Sequence, residues 1–295
     1  MTSETPQTSQ SGTTVVPAPT KVARLRLDRS AKPAPSVTAT IPPAILSGRD
    51  WATIRSLRTD AATMRRHKLF VDSSDDEVTR RFDLLRTLLT GAIEEHGILR
   101  LGVTAPTSGS GTSFIAANLA LSMARRPSAR VLLADMNLRD PGLARLFGAN
   151  APGPLAEILS GSQPITDQLR LFGGNLALLL NTQAATGSAE ILQEPATGEA
   201  LRDMRHQFAP TIEIYDLPPV LGADDTLSFL PQLDGVLMVA DGTRNTASQL
   251  RAAEELLTGR TRLVAVILNR GEIRRSLAEI IQNIRPRWLG GRRKG

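Results

Sequence analysis

The sequence contains no cysteine. A chain without thiols has no disulfide framework, no thiolate metal site and no cysteine nucleophile, so these classes of site are excluded. No apolar run approaches the ~20 residues that a membrane-spanning helix needs, and residues 1–12 are too polar for a secretion signal. We therefore expect a cytoplasmic protein.

Lysine is scarce in a chain whose net charge is +6, because arginine carries most of the positive charge. The lysines are Lys21, Lys32, Lys68 and Lys294. Basic residues gather near both ends of the chain, where they predict either solvated segments or a peripheral contact with anionic lipid headgroups. No helix-turn-helix or aromatic-basic RNA motif is present, so we expect no nucleic acid as a partner.

A glycine-rich loop at residues 103–113 follows an apolar run and fits most of the phosphate-loop pattern G-x-x-x-x-G-K-[ST]. Pro106 replaces the first glycine, and Thr112 replaces the lysine that contacts the β- and γ-phosphates. Backbone N–H groups at a helix N-terminus can still hold an anion, but phosphoryl transfer loses a cation that it needs. The alternative is a plain Gly/Ser turn entering a helix. The predicted nucleotide-binding residues of the loop are Gly109, Ser110, Gly111, Thr112 and Ser113.

Composition divides the chain into four parts. Residues 1–48, rich in Thr, Ser, Pro and Ala, predict a disordered arm, and residues 49–74 predict a linker with a loosely attached helix. Residues 75–284 are long enough for one large α/β domain, and residues 285–295 form a basic tail.

Short apolar segments alternate with helical patterns in the predicted domain. Strands are predicted at 98–104, 129–135, 176–180, 211–216, 234–241 and 263–269, and helices at 75–93, 198–208, 246–257 and 272–284. This alternation indicates a doubly wound, mostly parallel α/β sheet with helices on both faces. Ligands of such sheets bind at the carboxyl ends of the strands, where the loop, Asp135 and Asp216 fall. These two acids are either cation ligands or acids in solvated loops.

Several motifs occur in one order: the loop, NLA at 118–120, VLLADMNLRDP at 131–141, YDLPPVL at 215–221 and VILN at 266–269. In this set the chain resembles the cytoplasmic domain of the bacterial tyrosine kinases (BY-kinases) of polysaccharide biosynthesis, a branch of the Min/Par-like P-loop ATPases. The resemblance implies a P-loop NTPase-like fold, with ATP or ADP and magnesium as cofactors. It also implies a magnesium site at Ser113, Asp135 and Asp216, and an adenine contact at Asn269.

Several positions depart from the family pattern. Asn137 stands where the family has the second aspartate of Asp-x-Asp, and an amide neither carries a charge nor takes a proton. The tyrosine-rich C-terminal cluster is missing, because Tyr215 is the only tyrosine. The ring-forming motif Glu-x-x-Arg-x-x-Arg aligns on Arg80, Asp83 and Arg86, and only its last position matches.

Together these features predict a pseudo-kinase without catalytic residues, acting as a regulatory or scaffold subunit in exopolysaccharide or capsule biosynthesis and export. The expected partner is a membrane-embedded chain-length regulator or export protein, and a homo- or hetero-oligomer with a related kinase is a further expectation. Two alternatives stay open. One is an active kinase or ATPase with a relocated cation such as Arg139, and the other is a Min/Par-like positioning ATPase.

Overall fold

The computed structural model describes residues 48–70, 77–150 and 153–271. The predicted arm up to residue 47, the predicted helix at 272–284 and the basic tail lie outside these described residues. The strands are β1 Arg100–Thr104, β2 Val131–Asp135, β3 Leu169–Phe172, β4 Leu176–Leu179, β5 Ile212–Asp216, β6 Gly235–Asp241 and β7 Leu263–Asn269. Within the described residues they form one sheet in the order β3-β4-β2-β5-β1-β6-β7.

All neighbouring strands pair in parallel except β3 and β4, which are antiparallel. Helices fill most of the connections. They are α1 Gly48–Thr53, α2 Ala61–Arg66, α3 Glu77–His96, α4 Thr112–Ala124, α5 Leu143–Phe147, α6 Leu155–Leu159, α7 Ile165–Gln168, α8 Ser188–Gln193, α9 Pro195–Phe208, α10 Asp225–Phe229 and α11 Ala247–Leu257. A 3₁₀ turn follows α10 at Leu230–Gln232.

The strands divide their side chains between two hydrophobic layers, as a sheet covered on both faces requires. On β2, Val131 and Leu133 join the layer that contains α2 to α5. Leu132 and Ala134, which point the other way, join the layer that contains α1 and α6 to α11. This arrangement confirms the predicted doubly wound, mostly parallel sheet with helices on both faces.

Helix α3 follows its sequence pattern except at Leu88, which the apolar spacing places on the buried side and which the structure exposes. Phe82, Leu85 and Leu89 are buried at helical spacing, and the Phe82 ring meets Phe114 of α4 edge-on at 5.9 Å between centroids. Leu84 and Leu88 lie away from this buried side and are exposed. The helix therefore lies on one face of the sheet and covers α4, which begins at the glycine-rich loop.

Residues 51–70 are packed more firmly than the predicted linker. Trp51, Ile54, Met64 and Leu69 are buried in the two layers, and the indole Nε1 of Trp51 donates to the carbonyl oxygen of Gly174 at 2.8 Å. The expectation of a loosely attached segment is wrong for these residues, because their apolar side chains find partners on both faces of the sheet. The folded unit therefore begins well before residue 75.

Candidate functional site

The glycine-rich loop joins the carboxyl end of β1 to the first turn of α4. Gly109 and Gly111 have φ angles of 77° and 91°, in the left-handed region that glycine alone adopts without strain. Gly111 also has no room for a side chain, since a Cβ there would lie 2.4 Å from Nδ2 of Asn269. The predicted loop residues thus form the tight turn at a helix N-terminus that suits an anion.

Asn269, the last residue of β7, is brought directly against this loop. Its Nδ2 donates to the carbonyl oxygen of Ser110 at 2.8 Å, and the side chain is only 2% exposed. Its buried Oδ1 has no hydrogen-bond partner among the described residues. The amide therefore holds the loop in place and leaves one acceptor unused, while the adenine contact stays a prediction.

Asp135 and Asp216 end the adjacent strands β2 and β5 and are register partners. Both are completely buried. One oxygen of Asp135, Oδ2, accepts from the backbone N–H groups of Gly142 and Leu143, each at 3.0 Å. The other oxygen of Asp135 and both oxygens of Asp216 receive no hydrogen bond from the described residues. Buried carboxylate oxygens without partners are costly, so this pair favours a shared proton or a bound cation.

The electrostatics of the two acids agree with this. Burial raises the pKa of Asp135 to about 7, although the backbone N–H groups of Leu143 and Gly142 oppose the shift. Burial also raises the pKa of Asp216 well above its usual value, and the charge of Asp135 adds to the effect. The Ser113 hydroxyl lies close enough to oppose the shift but makes no hydrogen bond to either carboxylate oxygen of Asp216. The two carboxylates and the neighbouring Ser113 hydroxyl offer oxygen ligands, which magnesium prefers. They are two acids and a hydroxyl, and the described residues hold no cluster of three His, Cys, Asp or Glu side chains suited to a metal.

The side chain of Asn137 has a local role. Its Oδ1 accepts from the backbone N–H of Asp140 at 3.2 Å and so closes the turn after β2. Thr107, in the loop, receives a hydrogen bond on its hydroxyl from Nδ2 of Asn245 at 2.7 Å. Both side chains therefore stabilise backbone turns around the site.

Arg139, the cation considered as a replacement for the loop lysine, is engaged elsewhere. Its Nε donates to Oδ2 of Asp225 at 2.8 Å, and Asp224 lies 3.9 Å from its Nη2. Asp225 is completely buried at the start of α10 and also accepts from the Ser188 hydroxyl. The charge of Arg139 is thus matched by the acids of α10.

Two arginines that the sequence reasoning did not single out border the loop. Arg270 follows β7, and its Nη1 donates to the carbonyl oxygen of Gly109 at 2.8 Å. Arg244 follows β6, and its Nη1 lies 2.8 Å from the position that a Cβ on Gly109 would occupy. Their positions could have been predicted from the sequence, because each arginine comes just after a strand that ends at the same edge of the sheet as the loop.

The tyrosine side chain is unavailable for modification in the folded chain. Tyr215 is fully buried on β5, and its hydroxyl donates to the buried carboxylate of Glu213. Arg205 pairs with the same carboxylate at 3.1 Å. Burial raises the pKa of Tyr215 well above its usual value, and the charge of Glu213 adds to this.

Comparison with known proteins supplies relatives but no matching family model. Over 178 residues the chain is 31% identical to EpsB of Ralstonia nicotianae, a protein named as a candidate tyrosine-protein kinase, covering 60% of this chain and 23% of EpsB. Over 229 residues it is 27% identical to the tyrosine-protein kinase etk of Escherichia coli, covering 75% of this chain and 31% of that protein. The chain thus spans about a quarter of the length of the first curated relatives that it matches.

A solved structure agrees with these sequence relatives. The kinase domain of the Escherichia coli tyrosine kinase ETK superposes with a TM-score of 0.63 at 26% identity, covering 70% of this chain and 80% of that domain. Together these matches confirm the resemblance to the bacterial tyrosine kinases. Among the described residues, no helix combines the length and the apolar character that crossing a bilayer requires.

Proposed function

We propose that this chain, a homologue of bacterial tyrosine-kinase domains, is a pseudo-kinase that binds nucleotide without transferring its phosphate. It would act as a regulatory or scaffold subunit in exopolysaccharide or capsule biosynthesis and export. One observation carries the proposal: the Asp135–Asp216 pair keeps three unpartnered buried oxygens beside a phosphate loop whose lysine is replaced by Thr112. The cation site survives, and the chemistry of transfer does not.

The binding part of the proposal assigns roles to the residues of the loop. The backbone N–H groups of residues 109–113 would hold the phosphates, and Asn269 would lie near the base. Ser113, Asp135 and Asp216 would hold magnesium, which supplies positive charge to the phosphate oxygens when bound. The left-handed glycines and the buried acids support these roles.

The catalytic part of the family's machinery is reduced at several points. Thr112 carries no positive charge, so it cannot stabilise the negative charge of a phosphoryl group during transfer. Cations in that position raise the rate by orders of magnitude. Asn137 cannot take a proton and is occupied with the backbone of Asp140. Arg139, whose Nε donates to Asp225, replaces the lysine poorly.

The expected partners follow from the resemblance. We propose a membrane-embedded chain-length regulator or export protein as the main partner, and a related active kinase as a second one. In this arrangement the chain is cytoplasmic and lies at the inner membrane, where its basic ends would contact anionic headgroups. The ring motif supports a changed assembly, because Asp83 pairs within the chain with Arg86 at 3.2 Å and with Arg125 of the C-cap of α4.

Nucleotide titration and turnover on the same samples test the proposal. Calorimetry with Mg-ATP and Mg-ADP should detect binding by the wild type, while ATP hydrolysis and phosphorylation of a tyrosine peptide stay at background. Turnover by the wild type would make the chain an enzyme and contradict the proposal. Co-expression with the polysaccharide-assembly proteins of its own organism should recover a membrane chain-length regulator. Recovery of none of them would argue against the scaffold role.

A further inference from the structure

We propose that Arg244 binds a phosphate group of the nucleotide and so supplies the positive charge that Thr112 withholds from the loop. This rests on the proposed nucleotide binding and adds to it the cation on which that binding depends. The site consists of the loop around Gly109, the turn after β6 and the turn after β7, and its ligand is the phosphate chain of a nucleoside di- or triphosphate.

Gly109 is the point at which two guanidinium groups meet the loop. Arg270 donates to its carbonyl oxygen at 2.8 Å, and Nη1 of Arg244 occupies the space beside its Cα that a side chain would fill. A side chain at position 109 would therefore displace Arg244, in addition to being strained at a φ of 77°. The glycine makes room for the arginine at the rim of the phosphate loop.

The charge balance distinguishes the two arginines. Nη1 of Arg270 also donates to Oδ2 of the buried Asp241 at 2.9 Å, so its charge is matched within the fold. Arg244 is exposed, and no acid lies within ion-pair distance of it among the described residues. An exposed guanidinium without an acidic partner attracts an anion, and its planar fork is suited to hold a phosphate. Arg270 is a positioning residue, whereas Arg244 is the charge left for the ligand.

The turn that carries Arg244 is tied to the loop. Oδ1 of Asn245 accepts from the backbone N–H of Asp241 at 2.7 Å, and its Nδ2 donates to the Thr107 hydroxyl at 2.7 Å. The backbone of Arg244 is thereby held near the loop while its side chain stays free to meet a ligand. The buried carboxylate oxygens of Asp135 and Asp216 that lack partners among the described residues lie at the same edge of the sheet, and they independently indicate that a ligand carrying a cation is bound beside the loop.

Calorimetric titrations with Mg-ADP and Mg-ATP at two salt concentrations test the role of Arg244. Arg244→Ala should weaken the nucleotide affinity roughly tenfold, because one charge-assisted phosphate contact is lost. The affinity of this variant should also depend less on salt concentration. Arg244→Lys should recover part of the affinity, because it restores the charge without the fork. Arg251→Ala, an equal loss of charge at an exposed position of α11, should stay within about twofold of the wild type.

The Thr112→Lys variant separates the possible results. In that background Arg244→Ala should cost much less affinity, because a lysine now supplies the charge at the loop. Wild-type affinity in Arg244→Ala, or an equal loss in Arg251→Ala, would overturn the role of Arg244 and leave nucleotide binding standing. Absence of binding by the wild type up to millimolar nucleotide would overturn both proposals. Thermal melts that match the wild type establish that the variants are folded.

Discussion

Asp135 and Asp216 lie side by side as register partners at the carboxyl ends of β2 and β5, and only one of their four carboxylate oxygens accepts a hydrogen bond from the described residues. Adjacent parallel strands place these side chains together regardless of their mutual repulsion. Two buried acids this close favour a shared proton or a bound cation over two free charges. A site of this kind costs stability when empty, which makes it measurable.

Asp216→Asn should stabilise the metal-free protein and remove its response to magnesium. The amide avoids the burial of a second carboxylate, so we expect the free energy of unfolding at pH 8 to rise by about 1–3 kcal/mol. Chemical denaturation with and without Mg-ADP measures both effects. Asp203→Asn, at an exposed position of α9, is the matched control and should change neither. A variant that kept the magnesium response of the wild type would place the cation elsewhere.

Asp234 should make the stability of the domain depend on acid pH. Burial pushes its pKa up, but the hydrogen bonds and charge of Arg100 and the backbone N–H groups of Leu99 and Arg100 outweigh this, so its pKa lies below the usual value. Its contribution is therefore complete above the unfolded pKa of about 3.9 and is lost as the pH falls through the folded pKa.

Asp234→Asn measures that contribution. At pH 7 the variant should lose about 1–2 kcal/mol of unfolding free energy, a figure reduced for the partial exposure of the pair. The difference from the wild type should shrink as the pH drops below 4. An equal difference at pH 7 and pH 3 would mean that the carboxylate charge has no part in it.

Trp51→Ala tests whether residues 51–70 belong to the folded unit. The indole is 6% exposed, donates to Gly174 and lies under the guanidinium of Arg130 at 5.7 Å. Its removal should lower the unfolding free energy by about 3–5 kcal/mol, as for other buried aromatic side chains. Leu84→Ala, at an exposed position of α3, should cost less than about 0.5 kcal/mol. A similarly small loss of unfolding free energy in both variants would mean that residues 51–70 are a loosely attached linker.

Tyr215 should resist phosphorylation while the chain is folded. Incubation with an active bacterial tyrosine-kinase domain and labelled ATP should leave the folded chain unlabelled, because the hydroxyl is buried against Glu213. A synthetic peptide of residues 208–222 is the positive control and should accept phosphate. Label at Tyr215 in the native protein would require this strand to open.

Strand β3 and the packing of residues 51–70 do not follow from local sequence pattern. The strand at Leu169–Phe172 was not predicted, since four residues are too few for a periodic pattern and its antiparallel pairing with β4 is a tertiary contact. Trp51 and Met64 lie in segments with weak periodicity, and their burial depends on helices and strands distant in the chain. Local pattern carries no information about such partners.

The order of motifs along residues 100–269 was sufficient to predict the doubly wound sheet, the loop before α4 and the two acids at its edge, because apolar periodicity and strand-end chemistry are local properties. Only the tertiary structure decided which charged groups are neighbours. It places Arg244 and Arg270, from two different turns, beside Gly109, and it pairs Arg139 with Asp225. Electrostatic partners are chosen by distance in space, and the parallel crossovers of this sheet place residues more than a hundred positions apart within hydrogen-bond reach.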